Sequence, residues 1–160
     1  MPAAVQRAAA LLVIGYGNTL RTDDGAGRLV AERVEELGLA GVRARPCAQL
    51  TPDLAPELAG AATVVFVDAT VALGREIRWK TIAPDDNGPV SSHAMDPSAL
   101  LALARELYGR APLAWLLTVP TERMEIGTEL SDLTRRGIEA AIEKVVQLAK
   151  GAGGGRLMAE

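Results

Sequence analysis

The chain has one cysteine, one histidine, two tryptophans, two tyrosines and one phenylalanine among 160 residues. A lone Cys47 allows no intrachain disulfide and no cysteine-rich metal framework. It suits a reducing compartment. With so few aromatics, the core must be assembled from Ala, Leu, Val and Ile. The net charge of -3 gives no general attraction to nucleic acid or to an anionic membrane surface. No apolar run approaches the roughly 18 residues of a membrane span. The run 8–14, preceded by Arg7, is too short for a signal peptide and leads directly into a glycine turn. These absences point to a soluble cytoplasmic domain with neither nucleic acid nor membrane as partner. Its length suits one domain, over residues 1–150, that buries a core without cross-links.

What is present is an alternation of short apolar runs and helical patterns. Runs at 11–16, 63–67 and 114–119 read as buried strands, with weaker candidates at 42–46 and 76–81. Between them, Leu29, Val30, Val34 and Leu37 recur at helical spacing over 28–37. Thr51-Pro52 and Asp96-Pro97 each place a capping residue before a proline, opening helices to about Leu58 and over 98–108. Gly109 sits where the second of these should close. Ser131 can cap a last long helix through Leu148, with Gly137 a weak spot near its start. The tail 151–160, rich in glycine, is expected to fray. The alternation predicts an α/β fold: three layers, α/β/α, around a mostly parallel sheet of about five strands.

In such sheets ligands gather beyond the carboxyl ends of the strands. The stretch Gly15-Tyr16-Gly17-Asn18-Thr19-Leu20-Arg21-Thr22-Asp23-Asp24-Gly25-Ala26-Gly27 lies at that position, between the first strand and the first helix. A glycine-rich turn there usually cradles phosphate, but two adjacent carboxylates would repel it. The dinucleotide fingerprint also fails, because Leu20 stands where its third glycine belongs. No acid follows the second strand, where the sequence reads Arg43-Ala44-Arg45-Pro46-Cys47, and no Gly-Lys-Ser/Thr is present to make a P-loop. One aspartate can cap the helix at its positive end; the other is left over. Asp68 ends the run Val64-Val65-Phe66-Val67, where burial would require hydrogen bonds, a cation or solvent. His93 lies in a polar loop before the Asp96-Pro97 helix start. Asp24, Asp68 and His93 form an O,O,N set suited to a divalent ion with open positions. Such an ion polarises a carbonyl and lowers the pKa of bound water to about 7. Cys47 with His93 as base is a weaker nucleophilic alternative, since a lone cysteine is usually a small buried hydrophobe.

At these residues the sequence resembles the nickel-iron hydrogenase maturation endopeptidases. The resemblance rests on Gly15-x-Gly17-Asn18-x-Leu20-x-x-Asp23-Asp24-Gly25-x-Gly27, then Gln49-Leu50-Thr51-Pro52-Asp53-Leu54 and Phe66-Val67-Asp68-Ala69. It continues through Ser92-His93 and Glu125-Ile126-Gly127-x-x-Leu130-Ser131, covering about residues 11–148. It implies an endopeptidase that removes the C-terminal extension of a nickel-loaded hydrogenase large-subunit precursor. By the same resemblance, Asp24, Asp68 and His93 contact the nickel and carry the reaction. The nickel is supplied by the substrate, and zinc or cadmium can stand in for it in a crystal. Asp24 stands where some members carry Glu, one methylene longer. The resemblance also implies that Gly17 and Asn18 shape a flexible turn at Gly25 and Gly27, leaving room for a substrate's metal centre beside Asp24. The large-subunit precursor is the implied partner, with the loops 85–92 and 121–129 as candidate contact surfaces. A non-catalytic nickel-checking module is the alternative from another class.

Overall fold

A computed structural model describes residues 9–71, 74–85 and 95–153. Its sheet has five strands: β1 (Leu11–Tyr16), β2 (Val42–Cys47), β3 (Thr63–Thr70), β4 (Arg78–Ile82) and β5 (Leu113–Pro120). Their order is β2-β1-β3-β5-β4. All pairings are parallel except β4 on β5, which is antiparallel and closes one edge. The helices are α1 (Ala26–Leu37), α2 (Ala55–Ala59), α3 (Pro97–Tyr108) and α4 (Asp132–Gly153).

The apolar runs are continuous because both faces of the central strands are covered. Leu11, Val13, Val65, Val67, Trp115 and Leu117 face α1 and α4, where Val30, Val34, Ala141 and Val145 meet them. Leu12, Ile14, Val64, Phe66 and Ala114 face the other way, onto Leu58 of α2 and Leu100, Leu101 and Ala104 of α3. The expected three-layer α/β/α arrangement is therefore present. On the edge, Trp79 of β4 stacks on Trp115 with ring centroids 4.2 Å apart, and the Lys144 ammonium lies over the Trp79 ring.

The proline signals behave as expected at α3 and differ at α2. Asp96 accepts a hydrogen bond from the Ala99 amide at 2.7 Å, Pro97 takes the first helical position, and Gly109 closes the helix. Thr51-Pro52 instead opens a 3-10 turn, Pro52–Leu54, that runs into α2; the Thr51 hydroxyl bonds the Asp53 side chain rather than a helix amide. Ser131 does cap α4, its hydroxyl accepting from the Thr134 amide at 3.2 Å. That helix passes the expected end at Leu148 and continues to Gly153. The remainder of the expected frayed tail lies outside the described residues.

Two glycines read differently in three dimensions. Gly137 is no mere weak spot: a Cβ there would lie 2.8 Å from Val119 Cγ1 and 3.1 Å from Pro120 Cδ. Its missing side chain lets α4 settle onto the end of β5. Gly27 does the same for α1, since a Cβ would come within 2.2 Å of the Val67 carbonyl oxygen.

Candidate active site

The strand order reverses direction at β1, whose chain continues to β2 on one side while β3 lies on the other. The crevice beyond the carboxyl ends of β1 and β3 is the switch point where open α/β sheets bind ligands. Tyr16 ends β1 there. Asp68 does not end its strand, as the apolar run suggested; β3 continues to Thr70, pairing Asp68 with Thr118 of β5. Because Gly15 pairs with Val67, Tyr16 and Asp68 are the next positions along the two strands.

Asp68 is half-buried, and its Oδ1 accepts from the Ala69 amide at 2.8 Å. Burial pushes its carboxyl above the usual range; the Ala69 amide and the Tyr16 hydroxyl oppose that rise, and the nearby Asp24 charge adds to it. Tyr16 is held protonated by burial and by the Asp68 carboxylate beside it. Sequence reading missed this residue because an aromatic at a strand end looks like ordinary core.

Asp24 sits in a 3-10 turn, Thr22–Gly25, that follows the glycine loop. Its Oδ2 accepts from the Asn18 amide at 3.2 Å, while the Asn18 Oδ1 accepts from the Leu20 amide at 2.9 Å. Asn18 thus shapes the loop, as expected. Gly17, at φ +148°, lets the Asp24 carbonyl approach so closely that a Cβ would meet it at 2.1 Å. The glycines serve tight packing of the loop on itself and of α1 on the sheet. That packing is what brings Asp24 within electrostatic reach of Asp68.

Asp23 does something the sequence did not disclose. Neither aspartate caps α1, where Gly25 holds the capping position and no side chain bonds the first amides. Instead the fully buried Asp23 accepts four hydrogen bonds from the far loop. They come from the amides of Glu122 (2.9 Å), Arg123 (2.8 Å) and Ser131 (2.8 Å), and from the Ser131 hydroxyl (2.8 Å). Burial alone would raise its carboxyl, but these donors hold it down to about 2. Further bonds complete the clamp. Thr22 donates its amide to the Gly127 carbonyl (2.8 Å) and its hydroxyl to the Glu125 carbonyl (3.1 Å), and the Gly127 amide bonds the Leu20 carbonyl (2.8 Å). Thr22 holds a left-handed φ of +45° within this clamp, a costly conformation for a β-branched residue. The motifs at 125–127 and 130–131 are therefore the counterpart that fixes the aspartate loop.

His93 lies outside the described residues, as does most of the loop 85–92. Among the described residues no group of three or more His, Cys, Asp or Glu is placed to hold a metal ion. Of the three expected ligands, Asp24 and Asp68 are brought within electrostatic reach of each other, and a divalent cation would relieve the repulsion of the two carboxylates. Cys47 ends β2 half-buried, with burial pushing its thiol up, which opposes a nucleophilic role. No described helix is long and apolar enough to cross a membrane.

The fold and the site define a doubly wound α/β/α domain with a carboxylate pair at its switch point. Solved structures similar to it include peptidases. A [NiFe] hydrogenase maturation protease HycI from Thermococcus kodakarensis is 25% identical with a TM-score of 0.70, over 89% of this chain and 93% of its own. The hydrogenase maturating endopeptidase HybD from E. coli gives a TM-score of 0.71 at 22% identity, over 89% and 93% of the two chains. The hydrogenase 2 maturation peptidase of a Thaumarchaeota archaeon gives 0.65 at 22% identity, over 86% and 96%. No family model and no curated protein matches the chain. The likeness read from the motifs is thus met in the fold, and the chain is a structural relative of the [NiFe] hydrogenase maturation proteases.

Proposed function

We propose that this chain is a hydrolase that removes the C-terminal extension of a nickel-loaded [NiFe] hydrogenase large-subunit precursor. The observation that carries the reading is the meeting of Asp24 and Asp68 at the switch point of a sheet shared with maturation peptidases. Asp24, Asp68 and His93 contact the nickel of the precursor, which docks the scissile bond against the carboxylate pair. Nickel brought by the substrate supplies Lewis acidity that polarises the carbonyl under attack. Asp68, held by the Ala69 amide with the Tyr16 hydroxyl beside it, keeps its orientation toward that centre. Asp24 is carried on a clamped loop and, among the described residues, its carboxylate accepts only the Asn18 amide. The metal or one of the carboxylates activates the attacking water. Release of the extension frees the new C-terminus to fold inward.

The test is incubation of the purified protein with nickel-loaded and nickel-free precursor, read by mass spectrometry. Loss of the C-terminal peptide is expected only from the loaded precursor, and not with the His93→Ala or Asp24→Asn variants. Equal cleavage of both precursors, or normal processing by His93→Ala, would overturn the proposal.

A further inference from the structure

Each of three strands feeds a loop at the same end of the sheet, and each loop presents one large exposed apolar side chain. Leu20, after β1, is 64% exposed; Val71, after β3, is 68% exposed; Ile126, after β5, is 80% exposed. Scattered exposed apolar residues are ordinary, but these lie together on the rim of the carboxylate site. Leu20 and Ile126 are also held in place. The Leu20 amide bonds Asn18 Oδ1 and its carbonyl takes the Gly127 amide, next to Ile126. The Gly127 carbonyl takes the Thr22 amide, and the buried Asp23 locks both loops behind them. No packing need of the fold explains two large apolar side chains mounted in water on loops pinned by hydrogen bonds on either side of them. A rigid apolar mount loses little freedom on binding, which is the property of a docking anchor.

The charges around the anchor define its partner. Glu122, Glu125 and Glu129 are exposed on the loop that bears Ile126, and Asp24 lies on the loop that bears Leu20; Arg21 and Arg123 offset them only in part. Around Leu20 and Ile126 the rim is apolar at its points and acidic between them, while the segment after Val71 carries one charge of each sign, Arg75 and Glu76.

We infer that Leu20 and Ile126, with Val71 beside the third strand, dock an apolar segment of the protein substrate that carries basic side chains at its margins. The inference takes the partner's identity from the endopeptidase reading. The anchor lies on the loop that carries Asp24, so docking there delivers the neighbouring chain to the carboxylate pair.

The experiment measures both binding and cleavage of the nickel-loaded precursor by wild type, Leu20→Ala, Ile126→Ala and the double variant. Leu107→Ala serves as control, since Leu107 is 59% exposed but lies on the last turn of α3, toward the opposite end of the sheet. Burying one such side chain is worth about tenfold in affinity or more. Each single variant should therefore weaken precursor binding about tenfold, with the loss in KM rather than kcat. Melting temperatures should stay at the wild-type value because the side chains are in water. Raised salt should weaken the wild-type complex. Variants that bind and process like wild type would overturn the docking assignment while leaving the endopeptidase reading intact. A wild type that binds the precursor through this rim without cleaving it would do the reverse. A wild type that does not bind the precursor at all overturns the docking assignment as well.

Discussion

Asp23→Asn removes one charge from a fully buried position and sets an amide group against three backbone N–H donors. Whichever way the new amide faces, its NH2 meets a donor where an acceptor is required. If it replaces Oδ2, the bonds from Glu122 and Arg123 are lost together. The size of the effect follows from the proton equilibrium. The folded protein holds the Asp23 carboxyl down to about 2 from an ordinary value of 3.8. Such a shift corresponds to about 2 kcal/mol of stability favouring the ionised form. Leaving buried amides unpaired costs a further amount of similar order, so Asp23→Asn should lose about 2 to 4 kcal/mol. For a chain of this length that lowers the melting temperature by roughly 5 to 15 °C.

The pH dependence separates a buried charge from simple packing. Because the folded pKa lies below the unfolded one, the contribution is complete above about pH 4 to 5 and disappears as pH falls through 2. The stability gap between wild type and Asp23→Asn should therefore narrow by about 2 kcal/mol between pH 6 and pH 2. Urea unfolding followed by the fluorescence of Trp79 and Trp115 measures it directly. A gap that stays constant with pH, or a variant as stable as wild type at pH 6, would refute the clamp.

Other expectations are as definite. Asp24→Asn should leave the melting temperature within about 1 °C of wild type, since Asp24 is half-exposed and gives up one bond of 3.2 Å, yet it should abolish processing. Gly137→Ala should destabilise by about 1 to 3 kcal/mol in chemical denaturation, despite the better helix propensity of alanine, because its Cβ meets Val119 and Pro120. Trp115→Phe should cost little, about 1 kcal/mol or less by the same assay, because the buried indole N–H has no hydrogen-bond partner among the described residues.

The sheet was legible because its strands are buried on both faces. That burial writes unbroken apolar runs, and β1 begins and ends where its run does. β4 was harder to place: it is an edge strand with no buried residue and a largely polar sequence, displaced by a residue or two from the expected 76–81. Asp24 and Asp68 were recoverable as acids placed against expectation, one in a glycine loop and one in an apolar run. Asp23 was not, because its partners lie 99 to 108 residues away and three of the four bonds come from backbone amides, which carry no side-chain signature. Gly137 misled for a related reason. Helix propensity is a local quantity, whereas the contact that demands glycine is made by β5.

The question posed by two adjacent aspartates is answered by which way each one faces. Successive side chains in the 3-10 turn point in different directions, so a single loop serves two purposes at once. Asp23 turns inward, where four donors use up its lone pairs and hold it ionised without a cation. Asp24 turns outward, with one long bond among the described residues and a second carboxylate nearby. The inward charge is stabilised by dipoles and the outward one is left wanting a positive charge. The clamp also keeps the loop from relaxing Asp24 away from Asp68, a movement that their mutual repulsion would otherwise favour. The proposed acceptance of a metal from another protein calls for that arrangement: acids held together in advance by a structure that does not depend on the ion.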